Sequence, residues 1–278
     1  MDITFLKTFL EVAKTRHFGR SADALFITQS AVSARIKLLE QTLGVELFVR
    51  KRNDIQLTPS GANLLRHAEG IVKGWERARQ AIAVDPALAA SLSVGCLFDL
   101  WSILVRKWSA RVSALAPDIA LQADILNAEV MVQRLSLGVL DLGFMFDPPQ
   151  TPDLELRQVT AVPLILVSSR QGQDLDGATT EGYVMVDWGS AFGVVHAEKF
   201  PNLPAPHLRT NSGQVALDYI HGNGGAAYLP LAVVAPLLDN GLLHRVDDAP
   251  VIERHAYAVF RADAIERYSL KKALAALE

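Results

Sequence analysis

The sequence predicts a multi-domain chain in which a small helix-rich head is joined by one long helix to an α/β body. Three observations carry this reading. Residues 1 to 60 hold three short amphipathic helical patterns followed by a basic hairpin. One apolar seam at helical spacing runs from Leu64 to Ile82. From Ser91 onward, short apolar strands alternate with helical segments, the pattern of βαβ units around a largely parallel sheet. At 278 residues the chain also exceeds what a single core usually supports.

Composition narrows the class. With 50% hydrophobic and 21% charged residues and no low-complexity tract, the whole chain reads as folded. Its apolar run Ala161 to Val167 is far below the roughly 20 residues that span a bilayer, so no membrane insertion is expected. The N-terminus opens with Asp2 and shows neither a basic patch nor a small-residue cleavage site, which predicts a cytoplasmic protein. Cys96 stands alone and reads as a small apolar core residue. The net charge of −3 divides into +3 over residues 1 to 60 and −6 over the remainder, so the head is the part suited to a polyanion.

In the head, Asp2 is placed to cap a helix over residues 3 to 15 that buries Phe5, Phe9, Val12 and Ala13. FGRSADALF supplies a second helix with Ala22, Leu25 and Phe26 as its apolar side, and Ile27 and Thr28 form the turn. Thr28 caps a third helix, QSAVSARIKLLEQTL, which Gly44 ends. Val32, Ile36, Leu39 and Leu43 form its buried stripe, and Gln29, Ser30, Ser33, Ala34 and Lys37 lie opposite. Small, polar and basic residues near a helix N-terminus are what a recognition helix presents to base edges, although an ordinary solvated face would look alike. Two extended segments, Glu46 to Val49 and Asp54 to Thr58, then flank RKRND. The hairpin tip therefore carries Arg50, Lys51 and Arg52, which suits phosphate contact beside a groove.

The stretch FLEVAKTRHFGRSADALFITQSAVSARIKLLEQTLGVELFVRKRNDIQLTPSG closely resembles the DNA-binding domain of LysR-type regulators, whose pattern includes TQSAVS, LGxxLF, a basic wing and LTxxG. Within the family, TRHFGR and the later DWGSAF resemble the HdfR-like branch of flagellar-operon regulators. The resemblance implies a winged helix-turn-helix, with Gln29, Ser30, Ser33 and Lys37 reading bases and Thr28, Arg50 and Arg52 gripping phosphates of double-stranded DNA. Ala34 departs from the long polar residue of many members, which shifts the expected preference toward apolar contact with a thymine methyl.

Thr58 and Pro59 start the long helix. Leu64, Ala68, Ile71, Trp75, Ala78 and Ile82 recur at alternating four- and three-residue steps, a heptad seam flanked by charges. A helix lying on its own domain is the alternative; pairing with a second copy leaves no exposed seam, and LysR-like proteins dimerise through this helix. Asp85 and Pro86 end it, and an alanine-rich hinge runs to Ala90.

The body resembles the two-lobed, periplasmic-binding-protein-like α/β effector domain of the family, with crossing strands near residues 161 and 240. The expected domains are 1–58 (winged helix-turn-helix), 59–90 (linker helix and hinge) and 91–278 (effector domain). Lobe I covers about 91–161 and 241–278, and lobe II about 162–240. Ligands of such folds sit outside the strand carboxyl ends, where helix N-termini offer free N–H groups. That position selects Asp99, Trp101, Ser102, Asn127, Phe146, Trp188, Ser190, Asn211 and Ser212, although the serines serve equally as caps and the aromatics as core. Asp99 would repel an acidic effector, leaving an apolar, amidic or cationic one, or none.

Enzyme signatures are missing. GSAFG at Gly189 lacks the nucleophile-elbow spacing, GNGG at Gly222 is neither a dinucleotide nor a Walker motif, and the seven His show no ligand spacing. The sequence therefore predicts a non-enzymatic, homo-oligomeric transcriptional regulator with no cofactor and no metal, and a possible small-molecule effector. A solute-binding α/β protein is the alternative.

Overall fold

Helix α1 (Ile3–Thr15) starts at its expected cap, with Thr4 N donating to Asp2 Oδ1 at 2.9 Å. Helices α2 (Phe18–Leu25) and α3 (Gln29–Leu43) follow, and α3 is capped by Thr28, whose Oγ1 accepts from Ala31 N, and closed by Gly44 in the left-handed region. This computed structural model describes residues 2–51, 54–83 and 90–277, which form two compact units dividing near residue 86. In the first, Leu6, Phe9, Val12, Ala22, Val32, Ile36 and Leu39 close a core with Leu47 and Phe48.

Two expected core residues stand outside it. Leu43 is 41% exposed because the last turn of α3 extends past the helices that cover it. Phe26 is 95% exposed, since it forms the left-handed C-cap of α2 (φ 54°), which turns its side chain away from the apolar side. Strands β1 (Phe48–Lys51) and β2 (Asp54–Leu57) make the antiparallel wing, with Phe48 opposite Leu57. Arg52, expected at the wing tip, and the expected helix end and hinge up to residue 89 lie outside the described residues.

Helix α4 (Pro59–Ala83) is a single run of 25 residues, anchored where Gly61 N donates to Thr58 Oγ1 at 2.9 Å. Its seam is shared. Ala68 is buried in the head's own core and Leu64 packs partly against it, with Val72 beside them, whereas Ile71 and Trp75 remain 46% and 49% exposed. The side chains of Ala78 and Ile82 lie outside the described ones.

The second unit begins with β3 (Ala90–Cys96) and a helical stretch of α5 (Phe98–Leu100), a π-helical turn over Trp101–Val105 and α6 (Arg106–Leu115). There follow β4 (Ile119–Ile125), α7 (Ala128–Ser136), β5 (Leu142–Met145) and the long β6 (Leu154–Ser168). Lobe II contributes α8 (Leu175–Thr180), β7 (Tyr183–Val186), α9 (Ser190–Lys199), β8 (Leu208–Thr210), α10 (Gly213–Asn223), β9 (Ala226–Pro230), α11 (Leu231–Asp239) and β10 (His244–Arg245). The chain ends with β11 (Ile252–Arg261) and α12 (Tyr268–Ala275).

The sheet is mixed rather than largely parallel, in the order β4-β3-β5-β11-β6-β9-β7-β8 with β10 beside β6. Strands β3, β4 and β5 are parallel, as are β7, β8 and β9, but β11 runs antiparallel to β6 from Leu154 to Leu164. These two strands cross between the lobes, and their register shifts at Ala256/Tyr257. The first crossing falls near the expected residue 161. The return does not fall near 240: β10 still pairs with Ser168 and Val167 of β6, so the chain leaves lobe II only at β11. Cys96 is buried, and burial pushes its thiol up to about 11.

Lobe II buries a titratable group. His196, 4% exposed among the rings of Phe192, Phe200 and Tyr228, has its Nε2 2.7 Å from Tyr183 Oη. Burial first, and the charge of Arg209 second, hold its pKa below the ordinary 6.5. The unfolded chain therefore takes up a proton near pH 6.5 while the folded imidazole resists it. Stability is complete above that pH and falls on acidification, by at most about 1.4 kcal/mol per pH unit from this group. Melting temperatures followed from pH 7.5 to 5 check this: the acid loss in His196→Gln should be smaller than in the unsubstituted protein, and equal losses would remove His196 as its source.

Candidate DNA interface and ligand crevice

On α3, Gln29, Ser30, Ala34 and Lys37 are exposed and Ser33 is half-buried. At 100° per residue they span an arc of about 140° that starts about 20° from Ile36 and turns away from Val32 and Leu39. Ser30 Oγ lies 2.9 Å from the Thr28 hydroxyl, so the helix N-terminus presents two paired hydroxyls. Arg35, the helix's other cation, faces inward, with Nη1 3.4 Å from Thr8 Oγ1, leaving Lys37 as the cation on the exposed arc. The backbones of Arg50 and Lys51 lie at the wing end of β1. His17, which the sequence reading did not single out, caps α2, its Nδ1 accepting from Gly19 N (3.0 Å) and Arg20 N (3.3 Å). An open groove of about 750 Å³ lies beside the other end of α3, toward Gly44 and β1.

In the second unit, a crevice of about 470 Å³ opens between the two lobes at the carboxyl ends of the strands. Asp99, Asn127, Phe146, Trp188, Ser190, Asn211 and Ser212 all line it. Trp101 and Ser102 do not. The helix they were expected to open begins earlier, at Phe98, so both sit inside its π-helical turn, where Ser102 Oγ donates to Asp99 O at 3.1 Å and Trp101 faces solvent.

Several lining groups already have structural work. Asn127 Oδ1 accepts from Val130 N at the start of α7, Ser212 Oγ from Val215 N in α10, and Trp188 Nε1 donates to Tyr228 O at 2.9 Å. Asp99 Oδ1 accepts from Gly213 N at 3.1 Å. Burial raises the Asp99 carboxyl above the ordinary range, and bonds from the N–H groups of Gly213 and Gln214 partly offset this.

Asp147, which lines the crevice, belongs to an ion pair that sequence reasoning missed. Arg254 of β11, 4% exposed, places Nη2 2.6 Å from Asp147 Oδ2, off the N–H direction, as an ion pair rather than an aligned hydrogen bond. Its Nε donates to Trp188 O at 3.0 Å and its guanidinium lies 5.3 Å from the Phe146 ring centre. A signal existed: Ile252, Arg254, Ala256 and Ala258 alternate at the strand period, which turns Arg254 inward with its apolar neighbours.

A winged helix-turn-helix followed by a long helix and a two-lobed α/β unit defines a class of DNA-binding regulators with a ligand-sized crevice. The model for the bacterial regulatory helix-turn-helix protein, lysR family, matches residues 3–62, and that for the LysR substrate binding domain matches residues 87–278. The chain belongs to the LysR family of transcriptional regulators. It is 35% identical over 281 residues to the HTH-type transcriptional regulator HdfR of Salmonella dublin, covering 97% of this chain and 95% of that one. HdfR of Yersinia enterocolitica serotype O:8 is 32% identical over 286 residues, covering 99% and 95%. Among solved structures, CbnR, a LysR family transcriptional regulator, superposes with a TM-score of 0.76 at 18% identity, covering 100% and 98% of the two chains. Vibrio fischeri DarR in complex with DNA gives 0.62 at 21% identity, covering 100% and 98%. Among the described residues no helix is long and apolar enough to cross a membrane.

Proposed function

We propose that this chain is a cytoplasmic, homo-oligomeric regulator without catalytic activity that reads an operator with Gln29, Ser30, Ser33, Ala34 and Lys37. Thr28, Arg50, Lys51 and Arg52 hold the phosphates, and a small molecule in the lobe crevice biases DNA binding. The exposed arc on α3 carries this reading: an amide, two hydroxyls, a methyl and one free-facing ammonium on one face at a helix N-terminus. An amide and an ammonium can each hydrogen-bond a base edge, and the methyl of Ala34 suits a thymine methyl. The solved complexes of full-length CbnR with its target DNA and of DarR with DNA support a DNA partner.

Gln29→Ala and Lys37→Ala should each weaken the specific site by about 1 to 3 kcal/mol and spare random DNA, as base readout requires. Arg50→Ala and Arg52→Ala should weaken all DNA alike and lower the salt slope by about one unit each. Titration of all four variants on operator and scrambled duplexes decides this; equal losses on both duplexes throughout would overturn the assignment.

For the crevice, a ligand that regulates must favour one lobe arrangement, and its differential affinity sets the largest possible change in DNA binding. Because Ser102 lies outside the crevice, Ser102→Trp should leave ligand affinity unchanged, whereas Asn211→Trp, at an exposed lining position, should abolish it. Thermal shift with small metabolites reads both variants, and loss with Ser102→Trp would place the ligand elsewhere.

A further inference from the structure

Helices α9 and α10 of lobe II direct their N-termini into the crevice, and each receives a carboxylate from lobe I. Gly213 N at the start of α10 donates to Asp99 Oδ1 at 3.1 Å. At the start of α9, Ala191 N and Ser190 Oγ both lie 3.3 Å from Asp147 Oδ2, the oxygen that Arg254 Nη2 approaches at 2.6 Å. The chain is shaped for these approaches. A Cβ on Gly189 would lie 2.5 Å from Asp147 Oδ2, and one on Gly213 would lie 3.2 Å from Asp99 Oδ1 and 2.6 Å from the Trp188 ring. Asp147 itself adopts φ 46°, a conformation that costs a non-glycine residue about 1 to 3 kcal/mol and persists only where its surroundings impose it.

A helix N-terminus is where a ligand carboxylate or phosphate binds in crevices of this kind, because its N–H groups lack helical partners and its dipole favours negative charge. We propose that Asp99 and Asp147 are built-in ligands of the crevice: they fill both lobe II helix termini from lobe I, bridge the lobes, and restrict the crevice to an apolar molecule that carries no negative charge. Phe98, Ile125, Leu126 and Trp188 supply the wall for such a body, and Phe98 and Ile125 expose 56% and 51% of their surface. An anion entering this space meets two carboxylates that already accept from N–H groups at the α9 and α10 termini. The inference rests on reading the crevice as a ligand site.

The test uses the full chain and benzoate, an apolar body with one carboxylate, followed by calorimetry. The unsubstituted protein should show no saturable binding at millimolar benzoate. Asp99→Ala vacates the α10 terminus and should bind about two- to thirty-fold more tightly, the scale of one helix-terminus interaction. Asp99→Asn removes the charge but keeps an acceptor on Gly213, and should gain less than Asp99→Ala. If Asp99→Ala does not fold, Asp99→Ser leaves the same room and replaces it. Saturable binding by the unsubstituted chain, or a folded Asp99→Ala or Asp99→Ser variant that gains nothing, overturns the proposal. Gel shifts with the benzoate-loaded variant read the other question separately: binding without a change in operator affinity would sink the effector reading of the crevice and leave the built-in ligands standing.

Discussion

Trp75→Asp is expected to convert the oligomer to monomers. Ala68 and Val72 already serve the head's core, so among the described seam residues Ile71 and Trp75 are the large apolar side chains left with nearly half of their surface exposed. In a paired seam those two would be buried against a second copy. A carboxylate there would be desolvated without a partner at a cost of several kcal/mol, and about 3 kcal/mol weakens association more than a hundred-fold. Operator affinity should fall with it, since a monomer reads one half-site without the gain of linking two. The head should still melt normally, because Trp75 lies outside its core. Sedimentation checks the assembly and Trp75→Phe should restore it. An unchanged oligomer with normal operator binding would remove α4 from the interface.

Gly61→Ala should be among the most damaging single-methyl changes in the head. The LTPSG segment folds so that Thr58 N donates to Leu47 O (2.9 Å) and Thr58 Oγ1 donates to Glu46 O (2.7 Å), bringing the first turn of α4 onto the loop that leads into the wing. A Cβ on Gly61 would sit 2.2 Å from the Leu47 carbonyl oxygen, a backbone atom that cannot rotate away. The helix start must lift and break the Thr58 bonds, at about 3 kcal/mol or more. Gly74 on the same helix is the control: nothing lies within 4 Å of its Cβ position, so Gly74→Ala should stabilise by up to about 1 kcal/mol. Denaturant unfolding reads both variants, and a neutral Gly61→Ala would show that α4 meets the head differently.

Much of the chain was legible before its structure. Caps at Asp2, Thr28 and Thr58, the stop at Gly44, and the spacing of Val32, Ile36 and Leu39 are local signals that report on helices a few residues long. The ends of such patterns misled. Leu43 continues the stripe on paper, and Phe26 continues the apolar side of α2, but whether a core lies opposite them is not a local property. Helix α8, LDGATT, is too short to show a period, and α11, LAVVAPLLD, is apolar all round, so neither has a face to detect.

The crevice divides in the same way. Position after a strand located Asp99, Asn127, Phe146, Trp188, Ser190, Asn211 and Ser212, because strand carboxyl ends share one side of a parallel sheet whatever the lobes' relative placement. Asp147 and Arg254, by contrast, lie 107 positions apart in sequence and meet only because β5 and β11 are neighbours in the folded sheet. The sequence by itself determined the helix-turn-helix, its wing, the long helix and the family, since periodicity, caps and a 60-residue motif are properties of neighbouring residues. Tertiary structure alone decided which seam residues the head consumes and which carboxylates occupy the crevice, because burial and ion pairing depend on residues that the chain brings together from far apart.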